Sequence, residues 1–155
     1  MILHVKYTAR EGGSTLRGLA EGSLKDRLDA IKQQLNQTGL HLALNLKQDL
    51  PNEWLVLKGS GTVNLKIDQS RLPYIAQTIG AAIDDVMLVA SVKNNPATFT
   101  VDIDGAPVNL SRVDEWKLCR GVTAGIALGT PFAFSVAAGQ LSNLDELMLV
   151  VKYSF

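Results

Sequence analysis

Several features that commonly reveal a protein's chemistry are scarce in this 155-residue sequence. Its single cysteine, Cys119, rules out a disulfide within the chain, so packing must stabilise the fold. The two histidines, His4 and His41, lie in strand-like patterns without a neighbouring nucleophile in sequence. Fifteen basic and fifteen acidic residues cancel, and no basic stripe is interleaved with aromatic residues. The composition therefore argues against a nucleic-acid partner.

Motifs for catalysis, metals and cofactors are also missing. Gly12-Gly13 is followed by neither the lysine nor the spacing of a phosphate-binding loop. Asp102, Asp104 and Gly105 match only part of a calcium loop, and a hairpin turn explains them better. The sequence thus predicts no catalytic residue, no metal ligand and no cofactor. We expect a protein that is not an enzyme.

Long hydrophobic runs are absent as well. The longest apolar runs, near residues 86–90 and 147–151, are far shorter than the roughly 20 residues that cross a bilayer. The N-terminus lacks the cationic segment, apolar core and cleavage site of a signal peptide. We therefore expect neither a membrane span nor a signal peptide in this chain.

Helical periodicity begins after the first dozen residues. Apolar residues recur in steps of three or four: Leu16, Ala20, Leu24, Leu28, Ile31 and Leu35. This spacing places them on one face of a helix. The pattern predicts one amphipathic helix of about two dozen residues, with a break near Gly22 as the alternative.

From Leu40 onward the period changes to two residues, which is typical of half-buried strands. Alternating segments lie near residues 40–46, 62–68, 98–104 and 132–136, with turn signals between them. Asp104-Gly105 favours a tight hairpin into a further strand near Val108 and Leu110. The chain is therefore predicted to be mainly β, with an antiparallel β-sandwich at residues 40–155 and one N-terminal amphipathic α-helix. Residues 1–39 are predicted to form a strand-plus-helix arm, which we expect to be the end of a preceding domain.

Three stretches of the chain resemble one another. They read ILHVKYTAR (residues 2–10), IDDVMLVASV (residues 83–92) and LDELMLVVKYSF (residues 144–155), and Met87 aligns with Met148. The last two are apolar on both strand faces, so we expect them at the centre of the two sandwich halves, covered on each side. Acidic pairs precede them, Asp84-Asp85 and Asp145-Glu146. One hypothesis makes these pairs the carboxylates of a hydrolase, which requires them to meet in one cleft.

Two tryptophans are the strongest single-residue signals for binding. Trp54 follows Glu53, and Trp116 follows Glu115. An exposed indole on a β-sandwich can stack on a sugar ring or anchor a protein partner, whereas a core position is the alternative. The candidate binding residues are Trp54, Glu53 and Trp116, and a carbohydrate-binding module is one hypothesis for the function.

Specific strings resemble one protein family. The opening ILHVKYTAREGG is similar to a DVILHxRYTAREGG string in the large A component of bacterial insecticidal toxin complexes. DLPNEW at residues 49–54 resembles that family's acidic-aromatic-Pro-x-Glu-Trp element. QSRLPY at residues 69–74 resembles the arginine, apolar, proline, aromatic segment that follows it.

The resemblance implies a role in virulence. It places this chain at the C-terminal end of a much larger subunit, which in that family forms a pentamer, binds cell surfaces and injects a toxin. That region contributes the platform on which the cocoon of B and C components docks. The implied role is a binding and assembly domain whose partners are B- and C-type subunits or other copies of the A subunit, with a cell-surface glycan as a further ligand. The implied location is extracellular, within a toxin complex.

Overall fold

The computed structural model describes residues 13–155, and contacts divide the chain into two compact units, Met1–Gln37 and Thr38–Phe155. The strand predicted at residues 2–10, which includes His4, lies outside the described residues. In the first unit, α1 (Gly13–Thr38) is one helix of 26 residues that continues through Gly22. The prediction of a single helix is confirmed, and the alternative with a break near Gly22 is wrong.

In the second unit, the described residues form one antiparallel sheet of eight strands. The strands are β1 (Leu40–Asn45), β2 (Thr62–Lys66), β3 (Ala82–Val92), β4 (Thr98–Ile103), β5 (Ala106–Val113), β6 (Leu118–Thr123), β7 (Pro131–Val136) and β8 (Leu144–Ser154). Their order across the sheet is β1-β8-β3-β6-β5-β4-β7-β2. The four alternating segments are confirmed as β1, β2, β4 and β7.

Short helices connect the strands. They are α2 (Leu46–Asp49), α3 (Pro51–Ser60), α4 (Tyr74–Ile79) and α5 (Ala138–Leu141), with a 3-10 turn at Gln69–Arg71. Asn45 ends β1 and caps α2, since its side-chain oxygen accepts hydrogen bonds from the backbone N–H groups of Lys47 and Gln48. Pro51 then starts α3, and Gly61 ends it with a left-handed φ of 77°. These local signals turn the chain from one sheet edge to the other.

The sheet curls around a shared core. Leu44 of β1 and Val63 of β2 lie at opposite ends of the strand order, yet both belong to the buried cluster that contains Leu88 of β3. Leu46 and Leu57, from α2 and α3, complete this cluster between the two edge strands. The fold is thus a mainly β, sandwich-like domain made from one curled sheet. This confirms the fold class that the sequence predicts.

The predicted hairpin joins β4 to β5. Ile103 pairs with Ala106, so Asp104 and Gly105 form a two-residue turn. Both have positive φ values, 51° and 80°, which is the geometry of a type I′ turn. The Asp104 carboxylate also accepts a hydrogen bond from the backbone N–H of Ala133, at 2.8 Å, which fixes the turn against β7.

The two complete sequence repeats form neighbouring strands. β3 and β8 pair with each other along almost their whole length, from Ala82 opposite Ser154 to Val92 opposite Leu144. Both lie in the interior of the strand order, as predicted. The expectation that they occupy separate halves of the sandwich is wrong, because they are hydrogen-bonded to each other.

Candidate binding surface on the outer face of the sheet

Side chains of β3 and β8 alternate between the core and the opposite face of the sheet. On β3, Val86, Leu88 and Ala90 are buried in the core. Met87 and Val89 face the other way and are half-buried. β8 repeats this arrangement, with Leu149 buried and its neighbours half-buried. The expectation that both faces are covered is wrong for the described part of the chain, since the outer face stays partly open.

The strand register gathers the outward apolar side chains into one surface. Met87 lies opposite Val150 on one side and Val122 on the other. Val89 lies opposite Met148, and Ala43 of β1 lies opposite Val150. We call this surface the outer patch, defined by Ala43, Met87, Val89, Val122, Met148 and Val150. Its most open large residue is Val122, which is 57% exposed.

Charged and polar side chains border the outer patch. Asp85 lies opposite Lys152, and Lys152 also lies opposite His41 of β1. At the other end, Glu146 lies opposite Ser91. Both signs of charge are therefore present around an apolar centre. This arrangement is the usual anatomy of a protein–protein interface.

A small cavity opens at one end of the outer patch. Its volume is about 90 Å³, and its lining residues are Asn45, Val89, Ser91, Leu118, Glu146 and Met148. Small-molecule sites usually measure roughly 300–1,000 Å³. This cavity is therefore smaller than an ordinary small-molecule site.

The buried cysteine lies on the core side of the same strands. Cys119 pairs with Ala90, and its Sγ atom is 3.6 Å from the carbonyl oxygen of Pro96. Burial raises the pKa of the Cys119 thiol above its ordinary value, and the nearby charge of Arg112 lowers it in part. A reactive cysteine requires a lowered pKa and access, so Cys119 has the properties of a structural residue.

The candidate residues on α3 face different environments. Trp54 is 9% exposed and belongs to the core, with the Lys58 ammonium 5.7 Å from its ring centroid. Of the two alternatives for Trp54, an exposed indole or a core position, the structure therefore shows the core position. Glu53, in the first turn of α3, is half-buried. Its carboxylate lies where a helix N-terminus favours negative charge.

Trp116 has the opposite character. It lies in the turn between β5 and β6 and is 61% exposed. Its neighbour Asp114 forms an ion pair with Arg112, and Lys117 has a φ of 53°. The indole is thus presented on an irregular turn, on a different element from Trp54 and Glu53.

The acidic pairs of the repeats are separated by the antiparallel pairing. Asp85 lies opposite Lys152 near the end of β8, whereas Glu146 lies opposite Ser91 near the end of β3. At roughly 3.3 Å per residue, these positions are about 20 Å apart along the strands. The pairs cannot converge on one cleft, so the hypothesis of a carboxylate-pair hydrolase is contradicted. Among residues 13–155, no three His, Cys, Asp or Glu side chains are grouped as metal ligands would be.

Comparisons with protein-family models, curated proteins and solved structures gave no match for this chain. The resemblance to insecticidal toxin A components therefore depends on the sequence strings alone. In the described part of the chain, no helix combines the length and apolar character needed to cross a membrane.

Proposed function

We propose that this chain is a non-catalytic binding and assembly domain that docks a partner protein on the outer patch. The observation that supports this proposal is the half-open apolar face of β3 and β8, two strands in the interior of the sheet. Contiguous apolar surface with a polar border marks interaction sites on soluble proteins.

The construction of the outer patch suits this role. It lies on four hydrogen-bonded strands, β1, β8, β3 and β6, so little ordering entropy is lost when a partner binds. Met87 and Met148 place flexible, polarisable side chains at its centre, and such side chains adapt to a partner's shape. The charged border then selects orientation and partner.

The partner that the sequence resemblance suggests is the B component of an insecticidal toxin complex, alone or joined to a C component. On this proposal the chain acts outside the cell, within the assembled complex. Docking to another copy of the same subunit is the competing outcome. It would appear as self-association in sedimentation experiments without any B component.

Two exposed valines provide a matched test. Val122 in the outer patch is 57% exposed, and Val56 on α3 is 53% exposed. We expect Val122→Arg to weaken binding to a cognate B–C cocoon at least about tenfold, because a desolvated charge would enter the interface. Val56→Arg should bind like the unmodified chain. No binding by the unmodified chain at micromolar concentration, or equal binding by both variants, would overturn the proposal.

A carbohydrate-binding role is the second candidate, and the exposed indole of Trp116 favours it. Trp54→Phe leaves Trp116 as the chain's remaining tryptophan, so fluorescence then reports on that indole alone. Titration with a panel of oligosaccharides should change the emission and protect it from iodide quenching if a sugar stacks there. Unchanged quenching across the panel would dismiss this candidate.

A further inference from the structure

The second half of α1 carries an apolar stripe that is not part of the outer patch. Leu24, Leu28 and Ile31 follow one another at steps of four and three residues, and all three are exposed. At 100° per residue they share one side of the helix. Three large exposed apolar residues on one line form a seam of the kind that receives another helix.

The charged residues that flank Leu24, Leu28 and Ile31 between positions 24 and 32 are basic. Lys25 and Lys32 lie seven residues apart along one flank, and Arg27 lies on the other. The acidic residues of the same segment, Asp26 and Asp29, are turned away from the seam by the helical spacing. Between Leu24 and Ile31 the seam therefore has basic residues on both sides, and the acidic Glu21 lies one turn before it.

We propose that the Leu24–Ile31 seam docks an amphipathic helix of a partner protein whose own flanking residues are acidic. Opposite charges beside a heptad-spaced seam set partner choice and orientation. A second copy of this helix is a poor occupant, because parallel pairing would place Arg27 beside Lys32 of the other copy. Antiparallel pairing would place Lys25 beside Lys32, so like charges meet in either orientation.

The seam has a defined start. In the first half of α1, Arg17 and Glu21 form an ion pair of 2.8 Å between Nε and Oε1. Their spacing from Leu24 and Leu28 places them on the seam side, where they interrupt the apolar line. The partner helix therefore needs to cover only the second half of α1, on the order of two heptads. Because α1 is one continuous helix of 26 residues, the seam lies on a single uninterrupted helix.

Two synthetic peptides test the charge preference. Both have leucine and isoleucine at heptad seam positions; one has glutamate at every flanking position and the other has lysine. Fluorescence anisotropy with the full chain should show at least about tenfold tighter binding of the glutamate peptide at low salt. The preference should shrink between about 50 mM and about 500 mM salt. The triple variant Lys25→Glu, Arg27→Glu, Lys32→Glu should reverse it.

A leucine pair tests the seam itself. Leu19 and Leu28 are both exposed leucines of α1, but nine residues place them on opposite sides of the helix. Leu28→Gln should weaken binding of the glutamate peptide, whereas Leu19→Gln should not. Circular dichroism should show the same helix content for both variants. The proposal would be overturned if the two changes had equal effects or if the two peptides bound equally. It would also be overturned if the chain self-associated through α1. The outer-patch variants do not alter this helix, so the two proposals fail separately.

Discussion

Leu88 and Leu149 face each other across the β3–β8 ladder, and they occupy the same position of the sequence repeat. A local two-fold relation therefore passes through this pair. Met87 opposite Val150 and Val89 opposite Met148 are its symmetric counterparts on the outer face. The repeat thus has a structural meaning, because it produces both the centre of the core ladder and the centre of the outer patch.

Truncating the buried side chains of the Leu88–Leu149 pair should strongly destabilise the fold. Leu88 and Leu149 are fully buried, so Leu149→Ala removes packed methyl groups and leaves a cavity. We expect a loss of about 2–5 kcal/mol in the free energy of unfolding, measured by urea denaturation. Val122→Ala, on the exposed side of the same region, should change it by about 0.5 kcal/mol or less. Similar losses for both variants would contradict the assignment of inner and outer faces.

Gly121 lies opposite Leu88 on β6, where the backbone leaves no room for a side chain. An added Cβ would be 2.9 Å from the carbonyl oxygen of Asn109. Gly121→Ala should therefore destabilise the fold by about 1–3 kcal/mol. Gly59→Ala on α3 meets no atom within 4 Å and should be neutral or stabilising by up to about 1 kcal/mol. Thermal denaturation of both variants measures the contrast, and equal melting temperatures would refute it.

Cys119 should react slowly with thiol reagents at neutral pH. The side chain is fully buried, and burial raises the pKa of its thiol, so the thiolate is scarce and inaccessible. We expect labelling by a disulfide reagent to require unfolding and to accelerate with denaturant. A cysteine introduced at exposed Ser111 of β5 serves as the reactive control. Fast labelling of Cys119 in native buffer would contradict its position in the core.

Tyr153 should make stability sensitive to alkaline pH. Its phenol is 2% exposed, and burial raises its pKa above the ordinary value of 10.0. The neutral phenol is therefore favoured in the fold, so this stability is present below about pH 10 and is lost as pH rises through the folded pKa. Tyr153→Phe should flatten the fall in unfolding free energy above that pH. Tyr74→Phe, at a ring that is 83% exposed, should not flatten it.

Most strands were predictable because their side chains alternate clearly between apolar and polar. β6 gives no such signal: its inward positions are the small residues Cys119 and Gly121, and Val122 is an apolar residue that faces outward. α3 was also missed, although Leu50, Trp54 and Leu57 have the helical spacing of i, i+4 and i+7. In β6, residue size and packing, more than polarity, determine the structure.

The outer patch could be predicted only in part from the sequence. The sequence indicates that β3 and β8 are apolar on both faces and lie inside the sheet. It does not indicate that one of these faces stays open, because periodicity defines which side chains share a face and not what covers them. Trp54 illustrates the same limit, since its sequence neighbours resemble those of Trp116 while one indole is buried and the other exposed.

The methionine methyl groups offer the most direct test of the outer patch. Of the three methionines in the chain, Met87 and Met148 lie in the patch, so methyl NMR of a methionine-labelled sample observes it directly. On addition of a cognate B component, we predict that both resonances shift or broaden, and that Val122→Arg abolishes this response while Val56→Arg preserves it. A complex that forms while the Met87 and Met148 resonances stay unchanged would contradict docking on the outer patch.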